Sequence, residues 1–220
     1  MKEDNVVSPV AAILIVVMTF LLILFLGGII FVIFQNVFAL IFQEILIVVI
    51  PLGYMLAKKV NVKSYIGLDT KPKNIMIGIA FGAFLFFFDI FVTGILVSIF
   101  GPSSAVEESN TMIADFSSSL QGAVSIAFLL ALAGVCEEFT FRGFLQNSLS
   151  RRYSFIPAVL ISSLAWGLFH FDPQFVYIIS VFFAGLVLGY VYNRTHSYVV
   201  SASAHATLNL IVLALLLVRL

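Results

Sequence analysis

The chain is 220 residues long, 62% hydrophobic and 10% charged, with eleven basic side chains against eleven acidic ones. A mean hydropathy of +1.16, with so few charges against the roughly 25% of soluble domains, excludes a water-soluble globular fold. Zero net charge argues against a nucleic-acid partner, and the one cysteine, Cys136, excludes an internal disulfide framework.

Several runs reach the roughly 20 apolar residues a helix needs to cross a bilayer, and only helices or closed barrels satisfy their backbone there. The composition therefore predicts an all-α, polytopic membrane helix bundle of about seven transmembrane helices, a single integral membrane domain over residues 1–220. The N-terminus, Met1 to Asn5, is charged but not basic, and the apolar run after it is too long for a signal-peptide core. It is read as a retained first span. In chain order the expected spans are Pro9 to Phe34, Val37 to Leu56, Asn74 to Phe100, Ala123 to Leu149, Ile156 to Phe171, Gln174 to Tyr192 and Tyr198 to Leu220. The first two are separated only by Gln35-Asn36, which leaves open a single bent hydrophobic element. The fifth is short and the fourth long.

Cytoplasmic loops carry the excess of Lys and Arg. With the N-terminus cytoplasmic, Lys2, Lys58, Lys59, Lys63, Lys71, Lys73, Arg151, Arg152 and Arg194 share one face, and Arg219 alone falls on the other. The connection Gly101 to Gln121, read as a loop on that other face, has no Lys or Arg and carries Glu107, Glu108 and Asp115.

The fourth span contains Glu137-Glu138-Phe139-Thr140-Phe141-Arg142, two carboxylates and a guanidinium where lipid makes ionisable groups costly. Counted from the turn near Ser150 to Phe155, Glu137 lies about 18 Å deep and His170 about 21 Å at 1.5 Å per residue. On the seventh span, counted from Ser197, His205 and Asn209 lie about 12 and about 18 Å deep. Three helices thus bring a carboxylate, two imidazoles and an amide to one layer. Glu138 and Arg142 are spaced i, i+4 as an ion pair, with Glu137 about 100° around the helix and left for another task. His205 and Asn209 share the same spacing, and Trp166 lies one turn before His170.

These motifs resemble those of the CPBP intramembrane proteases, a family that includes the CAAX prenyl endopeptidases and Abi-like bacterial proteins of bacteriocin processing and immunity. The resemblance rests on EExxxR at Glu137, Glu138 and Arg142, on Trp166 and His170, on HxxxN at His205 and Asn209, and on Phe182, Gly185, Gly189, Tyr192 and Thr195 between them. Trp166 stands where Phe is often found. The matched core is 123–210, and the first 120 residues carry no family signature.

The resemblance implies an intramembrane endopeptidase acting on a membrane-associated peptide or protein. Glu137 and His170 would activate water, His205 and Asn209 would stabilise the oxyanion, and Glu138, Arg142 and Trp166 would support them. Cofactors are none or Zn2+, for which Glu137, His170 and His205 would be the ligands; the HExxH spacing of the zincins is absent, and Asn209 suits an oxyanion donor better than a ligand. The short chain with minimal loops resembles bacterial members, which implies a bacterial plasma membrane, with the active site open to the cytoplasmic side. The competing readings are a non-proteolytic bacteriocin-immunity or scaffold protein and an ion or proton-coupled transporter; no inverted repeat supports the latter.

Other polar positions carry no motif. Asp89 in the third span and Gln43-Glu44 in the second are expected to face the bundle or a wet cavity. Cys136 is read as a small core residue, His196 as a loop histidine, and the Phe84 to Phe91 run as lipid and helix packing. Gly185 and Gly189 form a small-xxx-small pair for close helix approach.

Overall fold

The structure, a computed structural model, describes residues 6–218, and among these every regular element is helical. The charged N-terminus with Lys2, and Arg219, lie outside the described residues. The helices are α1 (Pro9–Phe34), α2 (Val37–Ala57), the short α3 (Val62–Ile66), α4 (Pro72–Phe100), α5 (Ser104–Phe116), α6 (Leu120–Ser150), α7 (Phe155–Phe169), α8 (Val176–Thr195) and α9 (Tyr198–Val218). Six of them, α1, α2, α4, α6, α8 and α9, are long and apolar enough to span a membrane.

Local sequence sets the boundaries. Ser8, Asn36, Asn61, Ser103 and Ser119 each accept a backbone N–H from three residues on, capping α1, α2, α3, α5 and α6. Gln35 takes a left-handed conformation at φ 45° and Asn36 caps the next helix, so the two-residue break makes two separate helices of the first 57 residues.

Two elements differ from the sequence expectation. The expected fifth span ends at Phe169, because Asp172-Pro173 disfavours further helix, which leaves 15 residues, about 22 Å, against a hydrocarbon core of about 30 Å. The connection after α4 is not a plain loop: Ser103 starts an amphipathic helix, α5, which carries Glu107, Glu108 and Asp115. Hydrogen bonds from Ser103 Oγ to Asp172 Oδ1 (3.1 Å) and between Ser104 and Gln174 tie it to the turn after α7, placing both on the face opposite the basic loops.

Burial is inverted relative to a soluble protein. Arg142 and Glu138 are fully buried, whereas Val32, Phe87 and Phe38 are 69–74% exposed, as lipid-facing side chains would be. Ion pairing on the inside and apolar contact outside define an integral membrane protein.

Close helix packing depends on small residues. A Cβ at Gly78 or Gly82 of α4 would lie 2.5 Å from Ser203 Cβ or Ala204 O of α9. The pair Gly185 and Gly189 does the same for α8 against α7, where a Cβ would fall 2.9 Å from Ser163 Cβ and 2.4 Å from Val159 Cγ2. On the basic face, Gly67 at φ 70° lets its backbone meet His196 O and accept Tyr198 N–H at 3.2 Å, which fixes the start of α9.

Candidate active site

The α-helical part of α6 ends at Glu138, and residues Phe139–Gln146 form π-helical turns, all of them buried. Such widened turns are over-represented at functional sites because they rotate side chains out of regular register. Here they lead to a ladder. Arg142 Nη2 donates to Gly185 O at 3.2 Å, and four residues on Gln146 Nε2 donates to Gly189 O at 2.8 Å. Both helices run toward the basic face, and a glycine at each acceptor leaves its carbonyl uncovered. Ser162 of α7 donates to Gln146 Oε1, so one amide ties three helices together. Gln146 went unnoticed in the sequence, although its i+4 spacing from Arg142 matches that of Gly185 and Gly189.

Arg142 Nη1 lies 3.0 Å from Glu138 Oε1, a buried ion pair by distance without aligned hydrogen-bond geometry. The guanidinium also stacks over the Trp166 ring, 4.4 Å from its centroid. Trp166 is the hub of the site. Its indole N–H donates to Glu137 Oε2, and its ring packs edge-on against both His170 (5.5 Å) and His205 (5.0 Å).

The remaining expected residues are placed differently from the sequence reading. Glu137 makes no hydrogen bond to His205 or Asn209. Instead His205 Nδ1 lies 3.3 Å from Glu138 Oε1, and Asn209 Nδ2 donates to Leu130 O at 3.1 Å. His170 caps α7, with Nδ1 3.0 Å from Trp166 O and its ring against Tyr177 at 5.2 Å. Because Glu137 is turned to the indole and His205 to Glu138, the expected zinc donors do not converge. Among the described residues no three His, Cys, Asp or Glu side chains are arranged to hold a metal ion.

Glu44 joins the site from α2. Thr140 Oγ1 donates to Ile47 O at 2.9 Å between two helices that run the same way. Stepping back three residues on each brings Glu44 level with Glu137, within electrostatic reach of it, and Glu44 Oε2 is buried without a hydrogen-bond partner. Gln43 turns instead to Gly27 O, where π-helical turns interrupt α1. Both residues thus face the bundle, as expected. Cys136 is buried.

Trp166, His170, His205 and Asn209 line one cavity of about 340 Å³. Its other walls come from the second half of α4, the first half of α8, the second half of α9 and the inner face of α5. All of these lie toward the face opposite the basic loops. The cavity thus lies toward the face opposite the basic loops, not toward the basic side as the sequence led one to expect.

A bundle of spanning helices buries a carboxylate–guanidinium pair and the His205 imidazole around one indole, with the half-buried His170 beside it and a mostly apolar cavity alongside, as an integral membrane protein with polar groups gathered at one depth. The type II CAAX prenyl endopeptidase Rce1-like family matches residues 119–211, which include every residue of that cluster except Glu44. A 53-residue stretch is 42% identical to CAAX prenyl protease 2 of Methanococcus maripaludis. The stretch is 24% of this chain and spans about a fifth (20%) of that relative. Over residues 119–211 the chain is therefore similar to the CAAX prenyl endopeptidases. No solved structure matches at a significant level.

Proposed function

We propose that the chain is an intramembrane endopeptidase that hydrolyses a membrane-associated peptide or protein in this cavity. The reading rests chiefly on one observation: His170, His205 and Asn209, from two helices, line a single cavity that backs through Trp166 onto Glu137. The family match over the same residues adds to it.

Peptide hydrolysis needs an activated water, an oxyanion stabiliser and a proton donor for the leaving amine. Glu137 Oε2 holds the indole N–H, and Oε1 has no protein hydrogen-bond partner among the described residues. Glu137 removes a proton from a water held between it and His170 as the water oxygen bonds to the scissile carbonyl carbon. The carbonyl electron pair moves onto oxygen, where His205 and Asn209 donate hydrogen bonds. Re-formation of the C=O bond expels the amine, which takes the proton from Glu137. In the substrate-free arrangement Asn209 holds Leu130 O and His205 faces Glu138, so substrate draws both donors toward the oxyanion. Catalytic hydrogen bonds commonly tighten in this way on binding. The donor set does not fit a three-ligand zinc centre, and no step is routed through a metal.

With the basic loops cytoplasmic, the cavity faces away from the cytoplasm, roofed by α5. The test compares membranes containing the wild type or Glu137→Ala by mass spectrometry of peptide termini. New termini in membrane-bound substrates, prenylated or not, are expected with the wild type alone. Identical termini in both samples would overturn the reading.

A further inference from the structure

Asp89 sits on the cavity-lining half of α4, and its carboxylate is incompletely partnered. Ser180 Oγ of α8 donates to Asp89 Oδ1 at 2.8 Å, and Thr93 Oγ1 lies 2.7 Å from the same Ser180 hydroxyl. Oδ2 has no protein hydrogen-bond partner among the described residues, and it is not sealed from the cavity that Asp89, Thr93 and Ser180 all line. A carboxylate at membrane depth is retained where a cation, a polar cluster or water compensates it. No cationic side chain among the described residues reaches Asp89. The lysines nearest in sequence, Lys71 and Lys73, lie at the far end of α4, about 24 Å away at 1.5 Å per residue.

The cavity mouth has the same character. Glu107 of α5 lines it, and Gly101 to Gln121 contributes no basic residue. Low-dielectric walls and charges of one sign concentrate cations. The path to the reaction centre is short. Ser180 stands one turn beyond Tyr177 on α8, and the Tyr177 ring packs on His170 and lies within electrostatic reach of both Glu137 and Asp89.

We propose that Asp89, positioned by Ser180 and Thr93, is a specificity subsite that binds the lysine or arginine side chain of a substrate peptide, close to the bond cleaved at Glu137 and His170. This rests on the peptidase reading for its substrate, but the subsite itself is a matter of binding. A cationic side chain would form a charge-assisted pair with Oδ2 while its methylene stem covers the apolar walls. A purely structural Asp89 would tie α4 to α8 through Ser180 and show no preference for charge.

The test uses full-length Glu137→Gln protein in nanodiscs, which separates binding from cleavage. Fluorescein-labelled apolar nonapeptides carry a single lysine, norleucine or glutamate walked through every position, and binding is followed by anisotropy. The subsite predicts about a tenfold preference for lysine over norleucine at one position, rejection of glutamate there, and a ratio near unity after Asp89→Asn, which keeps the side chain's shape and can still hydrogen-bond Ser180. Should the Asn variant not fold, the same ratio is read in Asp89→Ser. The absence of any lysine preference, or its survival in the Asp89 variants, overturns the proposal. Wild-type protein that shows the preference but cleaves none of the peptides would instead contradict the peptidase reading and leave the subsite standing.

Discussion

The indole N–H of Trp166 donates to Glu137 Oε2 while the face of the same ring carries the Arg142 guanidinium at 4.4 Å, so one side chain holds the two neighbouring carboxylates of α6 in different roles. Glu137 is addressed by the ring edge. Glu138 is addressed only through Arg142 and His205.

Trp166→Phe keeps the ring under Arg142 and removes the donor to Glu137. A hydrogen bond to a charged group contributes about 1.5–3 kcal/mol, so kcat/KM is expected to fall about 10- to 100-fold with little loss of thermal stability. Trp166→Ala also empties the hub of the site and should cost about 3–5 kcal/mol of stability. Unfolding in detergent and peptide cleavage, measured on both variants, separate the two effects.

Arg142→Met leaves Glu138 buried without its main counter-charge and should cost about 3–5 kcal/mol, whereas Glu138→Gln/Arg142→Met should recover much of that loss. Arg142→Lys is not expected to rescue, because a compact ammonium cannot reach Gly185 O, Glu138 and the indole face at once. Denaturant titration of the three variants reads this ordering directly; a lysine variant as stable as the wild type would contradict it.

The carbonyl ladder makes Gly189 more sensitive than Gly185. An added Cβ at Gly189 meets Val159 Cγ2 at 2.4 Å and Gln146 Oε1 at 2.7 Å, against 2.9 Å to the nearest atom at Gly185. Overpacking costs about 1–3 kcal/mol. Melting temperatures should place Gly189→Ala below Gly185→Ala, and Gln146→Ala in the Gly189→Ala background should restore part of the loss.

Outside the spans, burial pushes the Tyr65 phenol above its usual range, partly opposed by Arg151, whose guanidinium lies 4.4 Å from the ring centroid. A group whose pKa is raised on folding contributes stability that is complete below the unfolded value, about 10, and is lost as pH rises through the folded value. The melting temperature of the wild type should therefore fall between pH 9 and 11 more steeply than that of Tyr65→Phe. Parallel pH profiles would show that the phenol does not titrate in that setting.

Much of the architecture was legible because lipid imposes strong rules: long apolar runs, basic loops on one face, and a few polar residues whose depth can be counted. Residue counting brought Glu137, His170, His205 and Asn209 to one layer, and the i, i+4 rule paired Glu138 with Arg142. It turned Glu137 toward His205, whereas His205 lies beside Glu138. The pairing depends on the rotation of α6 against α9 and on the π-helical turns after Glu138, and hydropathy encodes neither. The end of α7 at Phe169 was missed by two residues, although Asp172-Pro173 disfavours helix beyond it. α5 was harder to recognise, since a 13-residue amphipathic helix carries too little apolar sequence to stand out from a loop. Glu44 could be expected to face inward, but only the Thr140–Ile47 hydrogen bond shows which partner lies at its depth.

The division of labour between the two adjacent carboxylates is tested most directly by single-turnover cleavage with Glu137→Gln and Glu138→Gln proteins that have been shown to be folded. The account predicts that Glu137→Gln abolishes bond cleavage, by about a thousandfold or more, while the protein still binds peptide and melts near the wild-type temperature. Glu138→Gln should lower stability first and retain measurable cleavage when folded. Cleavage that survives Glu137→Gln but is lost in folded Glu138→Gln would contradict the assignment.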